Sequence, residues 1–198
     1  RNGRLIMNGA EANLQQVIDM GCWTPVVKFS ADAQQGQQDD QWHADLLGAG
    51  DGSRFIVKQG DKAWGEVQWS MLGKHNVENA LASIIAAEHA GVSVAESIAA
   101  LNAFGGVKRR MEVRGVVNDI TVYDDFAHHP TAIATTMEGL RRKVGKARIL
   151  AVLEPRSNTM RMGEHRQQLA ASTAAADLVY WFQPPGMNWS LDSVVQQS

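Results

Sequence analysis

Two carboxylates and two imidazoles occupy six consecutive positions, Asp124 to His129, within Val122-Tyr123-Asp124-Asp125-Phe126-Ala127-His128-His129-Pro130-Thr131. An apolar, β-rich run (Ile120, Val122) precedes them, and a proline follows that suits the first position of a helix, where its missing N–H costs nothing. Ile133, Met137, Leu140 and Val144 then recur at helical spacing. The acidic and imidazole groups therefore belong on a strand-to-helix turn. In open α/β sheets that edge gathers ligands, because strand ends and helix N-termini converge there. The chemistry is that of a loop handling a charged ligand or a nucleotide. A polar turn with capping aspartates would read the same way.

Three further groups are candidates. His75-Asn76-Val77-Glu78-Asn79 opens a long helix, with Asn76 and Asn79 three apart and so neighbours on its surface. A carboxamide presents a donor beside an acceptor, which matches the N6/N7 edge of adenine; Asn76 as a simple helix cap is the alternative. Lys108-Arg109-Arg110 directly follows a glycine pair, and an arginine fork there suits phosphate oxygens, although a basic triplet at a boundary is usually solvated. Arg156 and Thr159 are suited to anchoring a carboxylate. No G-x-x-x-x-G-K-[ST] phosphate loop occurs in the sequence, and Gly73-Lys74-His75 is not one.

The elements that must position these groups can be read from periodicity. Leu5–Met7 predicts a strand, Asn8-Gly9 a turn, and Ala10 to Met20 a helix with Leu14, Val17 and Ile18 on its apolar side. Val26–Phe29 predicts a strand. Ala31 to Asp40, rich in Gln, Asp and Gly, predicts a surface loop. Phe55–Gln59 and Ala63–Ser70 around Gly60-Asp61 predict a hairpin, with Trp64 and Trp69 as sheet packing. Val77, Leu81, Ile84 and Ile85 predict a helix ended by Gly91. Ser93 and Glu96 have capping-box spacing before a second helix carrying Ile98 and Leu101. Phe104-Gly105-Gly106 is the candidate boundary between two compact halves. Beyond it the order is strand (120–123), Asp/His loop, helix (131–143), strand (149–153), loop (154–160), helix (164–176) and strand (178–182). Such βαβαβ alternation predicts a parallel sheet that carries both loops on one carboxyl edge.

Composition narrows the class. At 198 residues and a formal net charge of −2 there is ample apolar content and no basic excess, so no nucleic-acid partner is expected. The longest apolar runs are too short and interrupted to span a bilayer, and no export signal is expected. The single cysteine, Cys22, reads as a packed or incidental thiol suited to a reducing, cytoplasmic setting. The first residue is not methionine, and the chain stops on Val194-Val195-Gln196-Gln197-Ser198 with no evident terminal element, so a fragment is expected.

Three ordered stretches resemble the Mur ligases, the ATP-dependent amide-forming enzymes of bacterial peptidoglycan synthesis. They are Gly73-Lys74-His75-Asn76-Val77-Glu78-Asn79-Ala80, Phe104-Gly105-Gly106-Val107-Lys108-Arg109-Arg110, and Asp124-Asp125-Phe126-Ala127-His128-His129-Pro130-Thr131. Gly21-Cys22-Trp23-Thr24-Pro25 and Leu153-Glu154-Pro155-Arg156-Ser157-Asn158-Thr159-Met160 resemble one branch of that family. That branch joins recycled L-alanyl-γ-D-glutamyl-meso-diaminopimelate to UDP-N-acetylmuramate; the branch adding L-alanine typically has a Gln-Pro-His-Arg type loop instead.

The resemblance implies an α/β fold, the C-terminal part of the central ATPase domain (1–103) followed by a truncated Rossmann-like parallel-sheet domain (104–198). It implies ATP binding by His75, Asn76, Asn79, Arg110 and Asp125, catalysis by Arg110, Asp125 and His128, and peptide binding by His128, Arg156, Ser157, Asn158 and Thr159. ATP and magnesium are the implied cofactors, with metal ligands expected mainly outside this chain and none assigned within it. UDP-N-acetylmuramate and the murein peptide are the implied substrates. The implied mechanism is phosphorylation of the lactyl carboxylate followed by attack of the peptide amine. The UDP-binding domain and phosphate loop are missing, so the chain alone is expected to be inactive. Met111 stands where relatives often carry phenylalanine, a packing change. Two other classes remain open on the residues alone: a metal-dependent phosphoesterase built on Asp124, Asp125, His128 and His129, and a non-catalytic adenylate-binding module.

Overall fold

The structure is a computed structural model that describes residues 3–31 and 41–198. It forms two compact units, Arg1–Gly106 and Val107–Ser198. The expected loop at 32–40 lies outside the described residues.

The first unit is a five-stranded mixed sheet in the order β1-β2-β3-β4-β5 with helices packed on it. The strands are β1 (Leu5–Asn8), β2 (Val26–Ser30), β3 (Trp42–Leu46), β4 (Arg54–Gln59) and β5 (Lys62–Gln68); the helices are α1 (Ala12–Asp19), α2 (Lys74–His89) and α3 (Val94–Asn102). β1, β2 and β3 run parallel, and β3, β4 and β5 antiparallel. The predicted hairpin is β4–β5. β3 carried no prediction, although Trp42, Ala44 and Leu46 alternate with polar residues at strand period. Trp64 stacks on Trp42 with ring centroids 5.9 Å apart, and Trp69 meets Phe55 edge-on, so both tryptophans pack the sheet as expected.

α2 begins at Gly73 with no side-chain cap. Val77, Leu81, Ile84 and Ile85 are fully buried against the sheet. Each such side chain contributes about 1.5–3 kcal/mol, against about 1 kcal/mol for a missing cap. Burial decides that the helix forms. α3 carries the predicted capping box, with Ser93 Oγ accepting from the Glu96 amide and Glu96 reaching back to the Ser93 amide. The Ser93 hydroxyl, which donates to Glu96 Oε2 at 2.6 Å, and then the Ser93 amide hold the Glu96 carboxyl below its usual range. α1 departs from expectation, because none of its residues is buried and Val17 is 62% exposed. Its apolar stripe is formed but uncovered by the described residues.

The second unit contains β6 (Glu112–Val117), β7 (Ile120–Asp124), α4 (Pro130–Val144), β8 (Leu150–Leu153), α5 (Asn158–Met162), α6 (Arg166–Ser172), β9 (Leu178–Trp181) and α7 (Asp192–Val195). β8 and β9 pair in parallel, as predicted. β7 instead pairs antiparallel with β6, an unpredicted strand. The cause is the Asn118-Asp119 turn, whose residues have φ of 48° and 62°. Two positive-φ residues match the twist of a two-residue hairpin. The predicted loop 154–160 is shorter than expected, since α5 starts inside it, and α7 closes a terminus read as featureless. The core gathers Ile133, Met160, Leu169, Ala170, Leu191 and Val194. Asp177 ties β8 to α4, accepting from the Ile149 amide at 2.7 Å and from Arg141. These two contacts, the amide first, lower its carboxyl pKa. No helix of the described residues is long and apolar enough to cross a membrane.

Candidate functional site

In the first unit the carboxamides sit at the start of α2, and a turn not singled out in the sequence braces that start. Asp51 Oδ1 accepts from the amide and hydroxyl of Ser53 at 2.9 and 2.6 Å. The Asp51 carbonyl takes the Gly73 amide at 2.7 Å, and the Gly52 carbonyl takes the Trp69 indole N–H at 2.9 Å. Gly52 has φ +89°, and a Cβ there would lie 2.9 Å from the Gly73 carbonyl oxygen. Only glycine allows backbone to approach backbone this closely. The Asp-Gly-Ser triplet was the available signal.

Asn76 occupies the third helical position rather than the cap, which is Gly73. It is 8% exposed, and its Nδ2 donates to the Leu72 carbonyl at 2.7 Å. That bond fixes the amide orientation and uses one of its two N–H groups, leaving Oδ1 and one N–H for a ligand edge. Asn79 is exposed and His75 half-buried. The three predicted residues thus share one helix start but differ in access.

In the second unit the basic turn and the Asp/His loop are stapled together. Arg109 and Met111 adopt φ of 58° and 50°, left-handed conformations that cost about 1–2 kcal/mol each outside glycine. Several bonds hold them there. The Met111 amide donates to Asp125 Oδ2 at 2.8 Å, the Phe126 amide to the Arg109 carbonyl at 2.8 Å, and the Arg109 amide to Glu112 Oε2 at 2.9 Å. The Arg109 amide, helped by the Arg114 guanidinium, keeps the Glu112 carboxyl below its usual range against a smaller opposing effect of burial. Asp125 Oδ1 accepts from Ala127 at 2.7 Å. Both carboxylate oxygens of Asp125 therefore face backbone N–H groups. Its first task is to hold the loop.

The result is a cationic cluster around one ring. Arg109 and Arg110 lie over Phe126 at 5.1 and 5.9 Å, and the His128 ring packs on it at 5.1 Å. Arg109 also pairs with Asp124 at 3.5 Å, while Arg110 is exposed. His128 Nδ1 sits 3.0 Å from the Phe126 carbonyl. A carbonyl only accepts, so Nδ1 carries a proton there and Nε2 is the ring nitrogen left for a ligand. His129 does something else: as N-cap of α4 its Nδ1 accepts from the Thr131 amide, and its ring meets His165 edge-on at 4.4 Å.

The peptide-loop residues lie beside this cluster. Ser157 caps α5, accepting from the Met160 amide at 3.3 Å, and its hydroxyl reaches the His128 carbonyl at 3.4 Å and Thr159 at 3.3 Å. The two loops meet through that contact, but not on one parallel-sheet edge as expected, because β7 pairs with β6 and not with the β8–β9 sheet. Asn158 and Thr159 are exposed. Arg156 is 74% exposed, with Nε 3.2 Å from Glu154. Glu154, Arg156, Arg161, Pro184 and Pro185 line a cleft of about 230 Å³. Arg161 and the two prolines were not anticipated. A shallower depression of about 410 Å³ lies over Met162, Gly163, Glu164, Arg166 and Gln167.

Asp124, Asp125, His128 and His129 are each committed to a different partner. Among the described residues no three His, Cys, Asp or Glu side chains converge on a metal position. The phosphoesterase reading loses its ligand set.

Comparison with known proteins agrees with this layout. Residues 1–87 match the Mur ligase middle domain, and residues 109–194 match the domain described as Mur ligase, glutamate ligase domain. The chain is 45% identical over 195 residues to the UDP-N-acetylmuramate–L-alanyl-γ-D-glutamyl-meso-2,6-diaminoheptandioate ligase of Escherichia coli, covering 98% of this chain and 41% of that protein. The crystal structure of a murein peptide ligase from Psychrobacter arcticus is 47% identical with a TM-score of 0.67, over 98% of this chain and 40% of that one. A UDP-N-acetylmuramate–L-alanine ligase of Streptococcus suis is 38% identical over 139 residues, 70% of this chain and 31% of that protein. The chain spans about two fifths of the length of the first two proteins. With both domain matches in the order the three sequence motifs require, the chain belongs to the Mur ligase family, of which it carries middle-domain and C-terminal-domain sequence.

Proposed function

We propose that this chain is the ATP- and peptide-handling part of a ligase that joins L-alanyl-γ-D-glutamyl-meso-diaminopimelate to UDP-N-acetylmuramate, in the recycling of murein. On this reading residues 1–103 are the later part of the central ATP-binding domain and 104–198 an incomplete C-terminal domain. The observation that carries the proposal is the stapled cluster of the second unit, where exposed Arg110 and the His128 ring flank Phe126, with Ser157 bonded to the His128 carbonyl.

A free carboxylate is a poor electrophile for an amine. Transfer of the γ-phosphoryl group to the lactyl carboxylate of UDP-N-acetylmuramate turns it into a good one. The peptide amine then adds to that carbon, phosphate leaves with the carboxylate oxygen, and an amide remains. Charge on the phosphoryl oxygens is greatest during both steps, and an exposed guanidinium suits them. Arg110 takes that role. Asp125 keeps the Arg109–Met111 turn in place, and His128 positions the incoming amine through Nε2. Asn76 and Asn79 offer the carboxamide edges that suit adenine, with His75 beside them at the helix start. Arg156, Ser157, Asn158 and Thr159 receive the peptide.

Magnesium, when bound, would neutralise phosphate charge. The described residues contribute arginine and backbone donors to that charge and no clustered carboxylate ligands, so no step is assigned to a metal here. ATP and a nucleotide-sugar substrate place the reaction in the cytoplasm.

A second reading is the L-alanine-adding ligase, favoured by the Streptococcus suis relative. The loop Glu154-Pro155-Arg156 favours the peptide reading instead, because its guanidinium suits a peptide carboxylate. A complete ligase carrying this chain, offered tripeptide and L-alanine in equal amounts with UDP-N-acetylmuramate and ATP, should yield the tripeptide adduct by mass spectrometry. Predominance of the L-alanine adduct would select the second reading.

A further inference from the structure

The loop that leaves β9 was not part of the site read from the sequence, yet it is built against the peptide loop. β8 and β9 run parallel, so Glu154–Ser157 and the segment from Phe182 onward leave the same carboxyl edge, where open α/β sheets collect ligands. The indole N–H of Trp189 donates to the Met160 and Arg161 carbonyls, both at 3.1 Å. Gly163, with φ +80°, ends α5 beneath that ring, and a Cβ there would lie 3.1 Å from the indole. Gln183 closes the loop on itself, its Oε1 accepting from the Leu191 amide at 3.1 Å and its Nε2 reaching the Trp189 carbonyl at 3.5 Å. The end of α5 and the 183–191 loop therefore form one fixed wall.

Arg161 stands at that wall. Its Nη2 reaches the carbonyl of Pro185 at 3.4 Å. Among the described residues no carboxylate pairs with it, whereas Arg156 across the cleft lining has Glu154. Two guanidiniums against one carboxylate leave one positive charge unmatched. Pro184 and Pro185 give the cleft a rigid side with no N–H of its own. At about 230 Å³ it is smaller than the ~300–1,000 Å³ of pockets that enclose a drug-sized ligand. It suits one end of a peptide.

We propose that Arg161, Arg156 and the Pro184–Pro185 wall form a subsite for a single carboxylate of the acceptor peptide. This rests on the ligase reading and extends it, since Arg161, Trp189 and the proline wall become determinants of which peptide is accepted. A cation tied to a neutral carbonyl is held in place without being neutralised. A carboxylate entering the cleft gains a charge-assisted bond.

The test is an NMR titration of the 198-residue chain with the tripeptide, and with forms in which each carboxylate is amidated in turn. The parent chain should bind the tripeptide and shift the Arg161 side-chain resonances. Amidation of one of the carboxylates should weaken binding about tenfold. Arg161→Met should weaken binding of the tripeptide about as much, without further loss for that one amidated form. An unchanged Trp189 indole resonance in Arg161→Met confirms that the wall stands. Equal weakening of every peptide form by Arg161→Met would overturn the subsite, as would tripeptide binding at parental strength. Failure of the parent chain to bind the tripeptide at all would instead overturn the peptide-site reading on which the subsite rests.

Discussion

Replacing Asp125 by alanine removes the acceptor from two backbone N–H groups at once, those of Met111 and Ala127 at 2.8 and 2.7 Å. Bonds to a charged acceptor contribute about 1.5–3 kcal/mol each when both partners are shielded. These amides are only partly shielded, and water replaces part of the loss. Met111 would also be free to leave its left-handed conformation, which relieves about 1 kcal/mol of strain in exchange for disorder. The net cost to the second unit should be about 2 kcal/mol. In a domain near 100 residues that corresponds to a fall in its melting midpoint of roughly 8–16 °C. Asp125→Asn should recover little, because its amide end turns a donor toward a donor. Melting followed by near-UV circular dichroism, with amide exchange at Met111 and Ala127, reads both effects. A midpoint within about 2 °C of the parent, with both amides still protected, would refute the stapling role and leave Asp125 as a ligand-facing group alone.

Gly52→Ala should destabilise the first unit by about 1–3 kcal/mol, since its Cβ would meet the Gly73 oxygen at 2.9 Å in a left-handed backbone; an unshifted denaturation midpoint would contradict this. Asn76→Ala in a complete ligase should narrow the preference for ATP over GTP by about 1–3 kcal/mol while leaving the peptide KM near its parental value, and equal use of ATP and GTP by the parent would sink the idea. The Asp177 carboxyl, held below its ordinary value of 3.8 by the Ile149 amide and Arg141, contributes stability that is complete above that value. The contribution is lost as pH falls through the depressed native value. Asp177→Asn should therefore flatten the acid limb of the stability curve below about pH 4, and an acid limb identical to the parent's would disprove the contribution.

Strong periodicity made most elements legible before the structure. Val77, Leu81, Ile84 and Ile85 mark α2 because burial of a helical stripe leaves a helical spacing, and the Ser93/Glu96 box marks α3 because capping is local. What escaped depended on partners distant in sequence or on backbone geometry. β3 is short and lies beyond a polar segment, and β6 is hidden by exposed, weakly patterned residues until the Asn118-Asp119 turn is weighed. The site shows the same division. The residue types of Asp125, His128 and Arg110 were readable, but the stapling role of Asp125 follows from the φ of Arg109 and Met111, which no spacing reveals. Asn76 was read as a surface group or a cap, and its burial and its bond back to the Leu72 carbonyl leave no mark in residue spacing. Arg161 lay one residue beyond the resemblance motif and gained meaning only from the β9 loop folded against it.

The most direct test follows an oxygen atom. A complete ligase carrying this chain should be supplied with ATP, the tripeptide and UDP-N-acetylmuramate labelled with ¹⁸O in its lactyl carboxylate, with product and phosphate analysed by mass spectrometry. The proposed reaction predicts the tripeptide adduct together with phosphate that carries one labelled oxygen for each amide formed. Phosphate released without label, or labelled phosphate with no tripeptide adduct, would contradict it.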